Sequence, residues 1–198
     1  STEQLARAER SLSNIQFVLA DAHHLPFEDG AFDKVYCRYL LEHVADPLRV
    51  LREMRRVLRP GGLAFAQENN ILANVLDPEC PRFDVVWRQF AVLQEQLGGD
   101  ALIGRRLFAL FRQAGFEQVR LSLQPEVHTA HDPTFRPWIR NTIGNIRSGA
   151  GELRRRGLAS DEEIRSALAE LEAFADRPDA SAIFYWNRAK AVNGREGV

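Results

Sequence analysis

A helix between two apolar strands, within residues 32–67, limits the possible folds of this chain more than any other feature. The helix begins at Asp46-Pro47, because an aspartate accepts hydrogen bonds from free N–H groups of the first turn and proline suits the first helical position. Apolar residues at helical spacing predict that the helix runs to about Leu58, and Pro60-Gly61-Gly62 ends it. Strands are predicted at 32–37 and 63–67. A strand–helix–strand unit of this kind predicts a parallel sheet covered by helices.

The rest of the chain continues the alternation of helices and strands. Further helices are predicted at 3–12, 84–97 and 101–113, and a capping box from Ser160 to Glu163 opens another that ends near Phe174. Further strands are predicted at 15–20, 117–123 and 183–192, the last two pairing antiparallel. Residues 69–82 show no period and are predicted to form a loop.

Composition excludes several classes of protein. The 198 residues suit one domain, and 26 basic against 27 acidic residues leave no excess charge for a general nucleic-acid binder. No stretch approaches the roughly 18 apolar residues of a membrane helix. The first residues, Ser1-Thr2-Glu3-Gln4, show no basic start and no apolar run, so no signal peptide is expected. Two cysteines, Cys37 and Cys80, are too few for a disulfide scaffold. We expect a cytoplasmic protein without nucleic-acid or membrane partners, and a homo-oligomer remains open.

Four segments occur in a fixed order between residues 14 and 68. They are Phe17-Val18-Leu19-Ala20-Asp21-Ala22, Leu25-Pro26-Phe27-Glu28-Asp29-Gly30-Ala31-Phe32-Asp33, Leu41-Glu42-His43-Val44-Ala45-Asp46-Pro47 and Arg56-Val57-Leu58-Arg59-Pro60-Gly61-Gly62. Together they resemble the class I S-adenosylmethionine-dependent methyltransferases, in the subgroup that holds many small-molecule methylases. The resemblance implies an α/β fold, a Rossmann-like three-layer sandwich with strand order 3-2-1-4-5-7-6. It also implies S-adenosylmethionine as the cofactor.

The resemblance assigns cofactor contacts to the ends of two strands. Asp21 would accept a hydrogen bond from the adenine amino group, and the Ala22 N–H would meet a ring nitrogen. Arg38, with Tyr39 and Leu40 beside it, would lie near the methionine part. In an open parallel sheet, ligands do bind beyond the carboxyl ends of strands. The alternatives are that Asp21 only caps a turn and that Arg38 is a solvated cation at a strand end.

Two motifs of the family are missing from the sequence. These are the glycine-rich loop after the first strand and the acidic residue after the second, so the first two strands are expected to be absent. We interpret residues 1–198 as one methyltransferase domain that is incomplete at its N-terminus. A truncated chain, a strand donated by another copy and a rearranged sheet would each explain this, and the first is favoured.

The candidate catalytic residues are Glu68, at the end of a strand, and His43, in the Leu-Glu-His-Val motif. Either could serve as a general base for an oxygen or nitrogen nucleophile, or could have only a capping or packing role. His128 and His131 fall in a segment predicted to contact substrate. The adjacent His23 and His24 point apart, which argues against a metal site.

Residues 69–112 and 125–182 are predicted to form a cap over the substrate. The function that these features favour is S-adenosylmethionine-dependent methyl transfer to an oxygen, nitrogen or carbon of a small molecule. A non-catalytic, structural or regulatory domain of the same fold is the alternative. A nicotinamide-dependent oxidoreductase is a third reading, but its glycine fingerprint is missing.

Overall fold

The computed structural model describes residues 14–194, which form one mixed sheet and the helices packed on it. The strands are β1 (Phe32–Arg38), β2 (Leu58–Glu68), β3 (Val75–Asp77), β4 (Glu117–Thr129) and β5 (Ser181–Val192). The helices are α1 (Pro47–Val57), α2 (Pro81–Gln96), α3 (Leu107–Gln113), α4 (Phe135–Arg155) and α5 (Asp161–Ala175). Short 3-10 turns lie at Leu41–His43, Ile71–Ala73 and Ile103–Arg106. The predicted helix at 3–12 lies outside the described residues.

The sheet has the order expected for the second half of the predicted fold. β1 runs parallel to β2, with Tyr36 opposite Phe65. β2 pairs antiparallel with β5, and β4 pairs antiparallel along the whole of β5. The short β3 pairs with the first residues of β5, so β2 and β3 share the edge of β5 that β4 leaves free. The sequence β1-β2-β5-β4 corresponds to 4-5-7-6 of the expected order, and the α/β fold class is confirmed.

The predicted strand at 15–20 is wrong. These residues pair with no strand, and Ile15, Val18 and Leu19 are 47%, 41% and 58% exposed. A strand needs a neighbour to satisfy its N–H and C=O groups. Within residues 14–194, β1 pairs only with β2, so no strand is available between β1 and this segment.

Helix α1 forms for the reasons given by its sequence. The carboxylate of Asp46 accepts a hydrogen bond from the N–H of Arg49 at 2.9 Å, and Pro47 occupies the first turn. Val50, Leu51 and Met54 form the buried face. The helix ends at Val57, and Pro60-Gly61-Gly62 lies within β2 rather than at the helix end.

Two apolar clusters divide the interior. The sheet cluster joins β1, β2, β5, α1 and α3, with Phe111 and Phe116 among its fully buried side chains. The helical cluster joins α2, α4 and α5, with Phe83, Ile139 and Leu171 at its centre. Strand β5 contributes to both clusters, so it fixes the helical layer against the sheet. Helix α3, inside the segment 69–112, packs in the sheet cluster.

Candidate functional site

The carboxyl end of β1 turns sharply at Tyr39. This residue has a φ of 51°, and its N–H donates to the carbonyl oxygen of Gln67 at 3.2 Å. The turn brings the Tyr39 ring edge to face with Trp186, with ring centroids 4.7 Å apart. The guanidinium of Arg38 lies 4.7 Å from the centroid of the Tyr39 ring. A strained, non-glycine turn at the end of a parallel strand is a typical feature of a functional site.

Glu68 holds the chain that follows this turn. Its side chain is fully buried, and its Oε1 accepts hydrogen bonds from the N–H groups of Leu40 at 3.2 Å and Leu41 at 3.1 Å. Burial raises the pKa of Glu68 to about 7, because desolvation disfavours the carboxylate. The structure thus places this predicted catalytic residue under the site, in contact with backbone N–H groups.

Glu42 and His43 lie together in the 3-10 turn that Glu68 holds. Glu42 is 5% exposed, its Oε1 accepts a hydrogen bond from Nδ2 of Asn69 at 3.4 Å, and burial raises its pKa. Nε2 of His43 is 3.4 Å from the same oxygen. The carbonyl oxygen of Glu42 accepts a hydrogen bond from the N–H of Asp100 at 2.9 Å. The predicted residue His43 therefore has a buried carboxylate as its neighbour, one that sequence reasoning missed.

A cavity of about 480 Å³ opens between this turn and the helical layer. Its walls come from the ends of β1 and β2, from α2 and α4, and from β4 and β5. The aromatic lining residues are Tyr39, Trp87, Phe90, Trp138, Phe184 and Trp186, and the polar ones are Arg38, Glu42, His43, Asn69, Asn74, Gln94, Glu126, Asn141, Thr142 and Asn145. Small-molecule sites are concave, largely apolar and edged by a few polar groups, and this cavity has that character.

Asp21 and Ala22 lie outside the lining of this cavity. The carboxylate of Asp21 accepts hydrogen bonds from the N–H of His23 at 2.9 Å and from its ring Nδ1 at 2.8 Å, and these bonds lower the pKa of Asp21. Asp21 also forms an isolated β-bridge with His24. Its observed contacts are those of a turn-capping aspartate, the alternative that the sequence left open. Of the five predicted cofactor residues, Arg38 and Tyr39 line the cavity, and Leu40 packs against the sheet cluster.

Side chains of the two predicted cap segments, 69–112 and 125–182, divide in the same way. Asn69, Trp87 and Trp138 line the cavity. His128 lies behind the cavity wall, with Nδ1 2.9 Å from Oγ1 of Thr134, and His131 is exposed. Residues 14–194 contain no group of three or more His, Cys, Asp or Glu side chains placed to hold a metal ion. Over the same residues, no helix has the length and apolar character needed to span a membrane.

The first third of the sequence matches a known family model. Residues 1–66 match the model described as a methyltransferase domain. This part of the chain is similar to the methyltransferases, and the match confirms the resemblance carried by the four segments.

Curated relatives of this chain include enzymes named for quinones. It is 32% identical over 127 residues to demethylmenaquinone methyltransferase of Staphylococcus saprophyticus, covering 58% of this chain and 54% of that protein. It is 33% identical over 129 residues to the chloroplastic 2-phytyl-1,4-beta-naphthoquinone methyltransferase of Arabidopsis thaliana, covering 59% of this chain and 49% of that protein. The chain thus spans about half the length of these relatives.

Solved structures support the same fold. A Bacillus halodurans protein assigned to the methyltransferases superposes with a TM-score of 0.55 at 19% identity, covering 91% of this chain and 78% of that one. At this level of identity, the superposition shows the fold alone.

Only part of the predicted cofactor set lies at the cavity. Arg38 and Tyr39 stand at the carboxyl end of β1, where the resemblance predicts the methionine part of S-adenosylmethionine. Asp21, in contrast, is engaged by His23, and the first glycine of the sequence is Gly30, in a turn just before β1. The loop that would hold the rest of the cofactor is therefore not supplied by residues 14–194.

Proposed function

We propose that the protein acts in the S-adenosylmethionine-dependent methylation of a small molecule that binds in the cavity between the sheet and helices α2 and α4. The observation that carries this proposal is the position of the cavity, at the carboxyl ends of β1 and β2 in a methyltransferase fold. Such ends are where ligands bind in open α/β sheets. The cofactor supplies a methyl group on a positively charged sulfur.

The aromatic wall supports a ligand with a flat or apolar part. Trp87 and Phe90 stack with parallel rings, their centroids 5.2 Å apart, and Trp186 contacts Phe184 and Tyr39 edge to face. These contacts hold the rings in place before a ligand arrives, which lowers the entropic cost of binding. The quinone-related names of two relatives agree with a planar ligand, and the cavity of about 480 Å³ has room for one.

His43 is the residue that we assign to proton transfer. Its ring lines the cavity, and Nε2 is 3.4 Å from the Glu42 carboxylate. A carboxylate beside an imidazole orients the ring, and a neutral imidazole nitrogen can accept a proton from a hydroxyl or an amine. Glu68 acts as a positioning residue, because it holds the N–H groups that precede Glu42 and His43.

The test begins with calorimetry of S-adenosylhomocysteine against the full chain, followed by incubation with methyl-labelled S-adenosylmethionine. A panel of phenols, aromatic amines and naphthoquinols serves as methyl acceptors. We expect S-adenosylhomocysteine to bind and label to reach at least one class of acceptor. A folded protein that binds neither S-adenosylhomocysteine nor any acceptor would contradict the proposal and favour a non-catalytic domain.

A further inference from the structure

Within residues 14–194, four buried oxygens without hydrogen-bond partners belong to residues that line the cavity. They are Oε2 of Glu42, Oδ1 of Asn69, Oδ1 of Asn74 and Oε1 of Gln94. Nδ2 of Asn69 donates to Glu42, which orients this amide and leaves its oxygen as the free atom. Buried polar groups normally have partners, so four free acceptors around one cavity need an explanation.

All four atoms accept hydrogen bonds, and a ligand that satisfies them must donate. An ammonium group carries three donors and no acceptor, which suits such a site better than a carbonyl or a carboxylate does. Glu42 is 5% exposed, so its free oxygen has little access to water. A hydrogen bond between an ammonium and a desolvated carboxylate is among the stronger kinds in proteins.

The charges and rings of the cavity favour the same ligand. Two carboxylates, Glu42 and Glu126, line it. Within the described part of the chain, Arg38 is the only Arg or Lys of the lining; its side chain is exposed, and Nη2 donates to the Tyr39 hydroxyl at 3.2 Å. His43, the remaining basic group, lies beside Glu42. Indole and phenyl faces attract cations through their ring quadrupoles, and Trp87, Phe90 and Trp138 supply such faces.

We infer that the cavity recognises an organic cation, a protonated amine attached to an apolar or aromatic part, with Glu42 as the main contact of the ammonium. This inference deepens the proposed function, on which it rests, by naming the class of substrate. It differs from what the quinone-related names of the relatives would suggest, since a quinone has no donor for the four free oxygens.

The experiment compares three ligands of one shape by calorimetry with the full chain. Tyramine carries the cation, 4-ethylphenol is its neutral counterpart, and 3-(4-hydroxyphenyl)propionate is its anionic counterpart. We expect tyramine to bind at least about tenfold more tightly than 4-ethylphenol, as one charge-assisted hydrogen bond allows, and the propionate to bind most weakly.

Substitutions then locate the charge contact. Glu42→Gln keeps the shape of the side chain and should remove most of the tyramine preference, while 4-ethylphenol binds as before. Glu28→Gln is the control, because Glu28 is exposed and lies outside the cavity lining. If circular dichroism shows that Glu42→Gln does not fold, Glu126→Gln replaces it, with a smaller expected loss.

The outcomes separate this inference from the proposed function. Equal binding of tyramine and 4-ethylphenol, or tyramine binding that Glu42→Gln leaves unchanged, would overturn the inference and leave a small-molecule cavity in place. Failure of all three ligands to bind a folded protein, together with binding of a naphthoquinol, would also overturn only the inference. Failure of every small molecule to bind would contradict both.

Discussion

Oε1 of Glu68 accepts a hydrogen bond from the N–H of Leu41 at 3.1 Å, and this contact connects the end of β2 to the 3-10 turn after β1. The same oxygen accepts from the N–H of Leu40 at 3.2 Å. The carboxylate thus satisfies two backbone donors that lie just beyond the end of β1. Glu42 and His43 follow directly in the chain and form the floor of the cavity, together with Asn69. The geometry of this floor therefore depends on the buried side chain of Glu68.

Stability should fall with rising pH because of Glu68. Burial raises its pKa from 4.5 to about 7, so the native state favours the protonated form. The stabilisation is fully present below pH 4.5 and is lost as pH rises through 7, a change on the order of 3 kcal/mol in the free energy of unfolding. Glu68→Gln cannot ionise and keeps an oxygen for both N–H groups. We expect urea denaturation at pH 5 and pH 8 to show a smaller fall for Glu68→Gln than for the unsubstituted chain.

Glu42 adds to the same fall in both proteins, because burial raises its pKa as well. The informative quantity is therefore the difference in unfolding free energy between the two proteins at each pH. Glu28→Gln, an exposed substitution, should leave the pH dependence unchanged. A difference between the unsubstituted chain and Glu68→Gln that stays constant from pH 5 to pH 8 would contradict the raised pKa of Glu68.

Removing the imidazole of His43 should slow methyl transfer. Under the proposed function, His43→Asn keeps a polar side chain in the turn but removes the base, and general-base catalysis contributes about a hundredfold or more. We expect kcat to fall by about that factor while KM changes little. His131→Asn is the matched control, since His131 is exposed and does not line the cavity. Equal kcat values for the two variants in a label-transfer assay would show that His43 does not act as the general base.

Arg56 anchors the segment before β1 to helix α1. Its guanidinium donates to the carbonyl oxygens of Leu25 at 3.0 Å and Phe27 at 2.8 Å, and it pairs with Glu53 and Asp29 at 2.6 Å each. Arg56→Ala should therefore loosen residues 25–29, and hydrogen exchange should show faster exchange there than in α1. Arg154→Ala, which removes an exposed arginine at the far side of the molecule, should leave exchange in this segment unchanged. Unaltered exchange in Arg56→Ala would mean that residues 25–29 keep their conformation without the contacts of Arg56.

Short sequence patterns correctly predicted the elements that depend mainly on contacts between residues close in sequence or in neighbouring strands. The capping box is present, with the Ser160 hydroxyl accepting from the Glu163 N–H, and the helix that it opens ends at Ala175. The antiparallel pairing of β4 with β5 is confirmed. The strand at 15–20 was wrong because an apolar run becomes a strand only when another strand lies beside it, and sequence pattern carries no information on that neighbour.

Helix α4 shows a second limit of sequence reasoning. Its buried positions Phe135, Ile139, Ile143 and Ile146 do follow helical spacing. Pro137, Gly144 and Gly149 interrupt the pattern, and the helices predicted from the sequence do not include this segment. Proline is tolerated in a first turn, where its missing N–H costs nothing.

The candidate site was predicted only in part. Arg38, Tyr39 and His43 were found because they follow strand ends or motifs. Glu42 was missed, since a buried carboxylate in a motif looks like any surface glutamate until the fold encloses it. The structural position of Glu68, under the floor of the cavity, likewise depends on contacts between residues 27 apart in the chain.

The close approach of Gly104 to the cavity floor leads to the last prediction. The N–H of Gly104 donates to the carbonyl oxygen of Asn69 at 2.8 Å. A Cβ at Gly104 would lie 2.5 Å from that oxygen and 2.7 Å from Nδ2 of Asn187, distances that real Cβ atoms do not show. Gly104→Ala must therefore displace the Asn69 backbone, the Asn187 side chain or both, and overpacking of this kind costs about 1–3 kcal/mol. Gly144→Ala is the matched control, because its Cβ would meet nothing within 4 Å.

Since Gly144 lies inside helix α4, alanine there should stabilise the protein by up to about 1 kcal/mol through its better helix propensity. The two substitutions add the same methyl group, so opposite signs in thermal denaturation would isolate the contact with Asn69. Displacement of Asn69 would disturb its hydrogen bond to Glu42, so we expect tyramine binding to weaken in Gly104→Ala but not in Gly144→Ala. Equal stabilities and equal tyramine affinities of the two variants would show that the residues around Gly104 accommodate the methyl group without cost. They would also show that the Asn69–Glu42 pair does not shape the cavity.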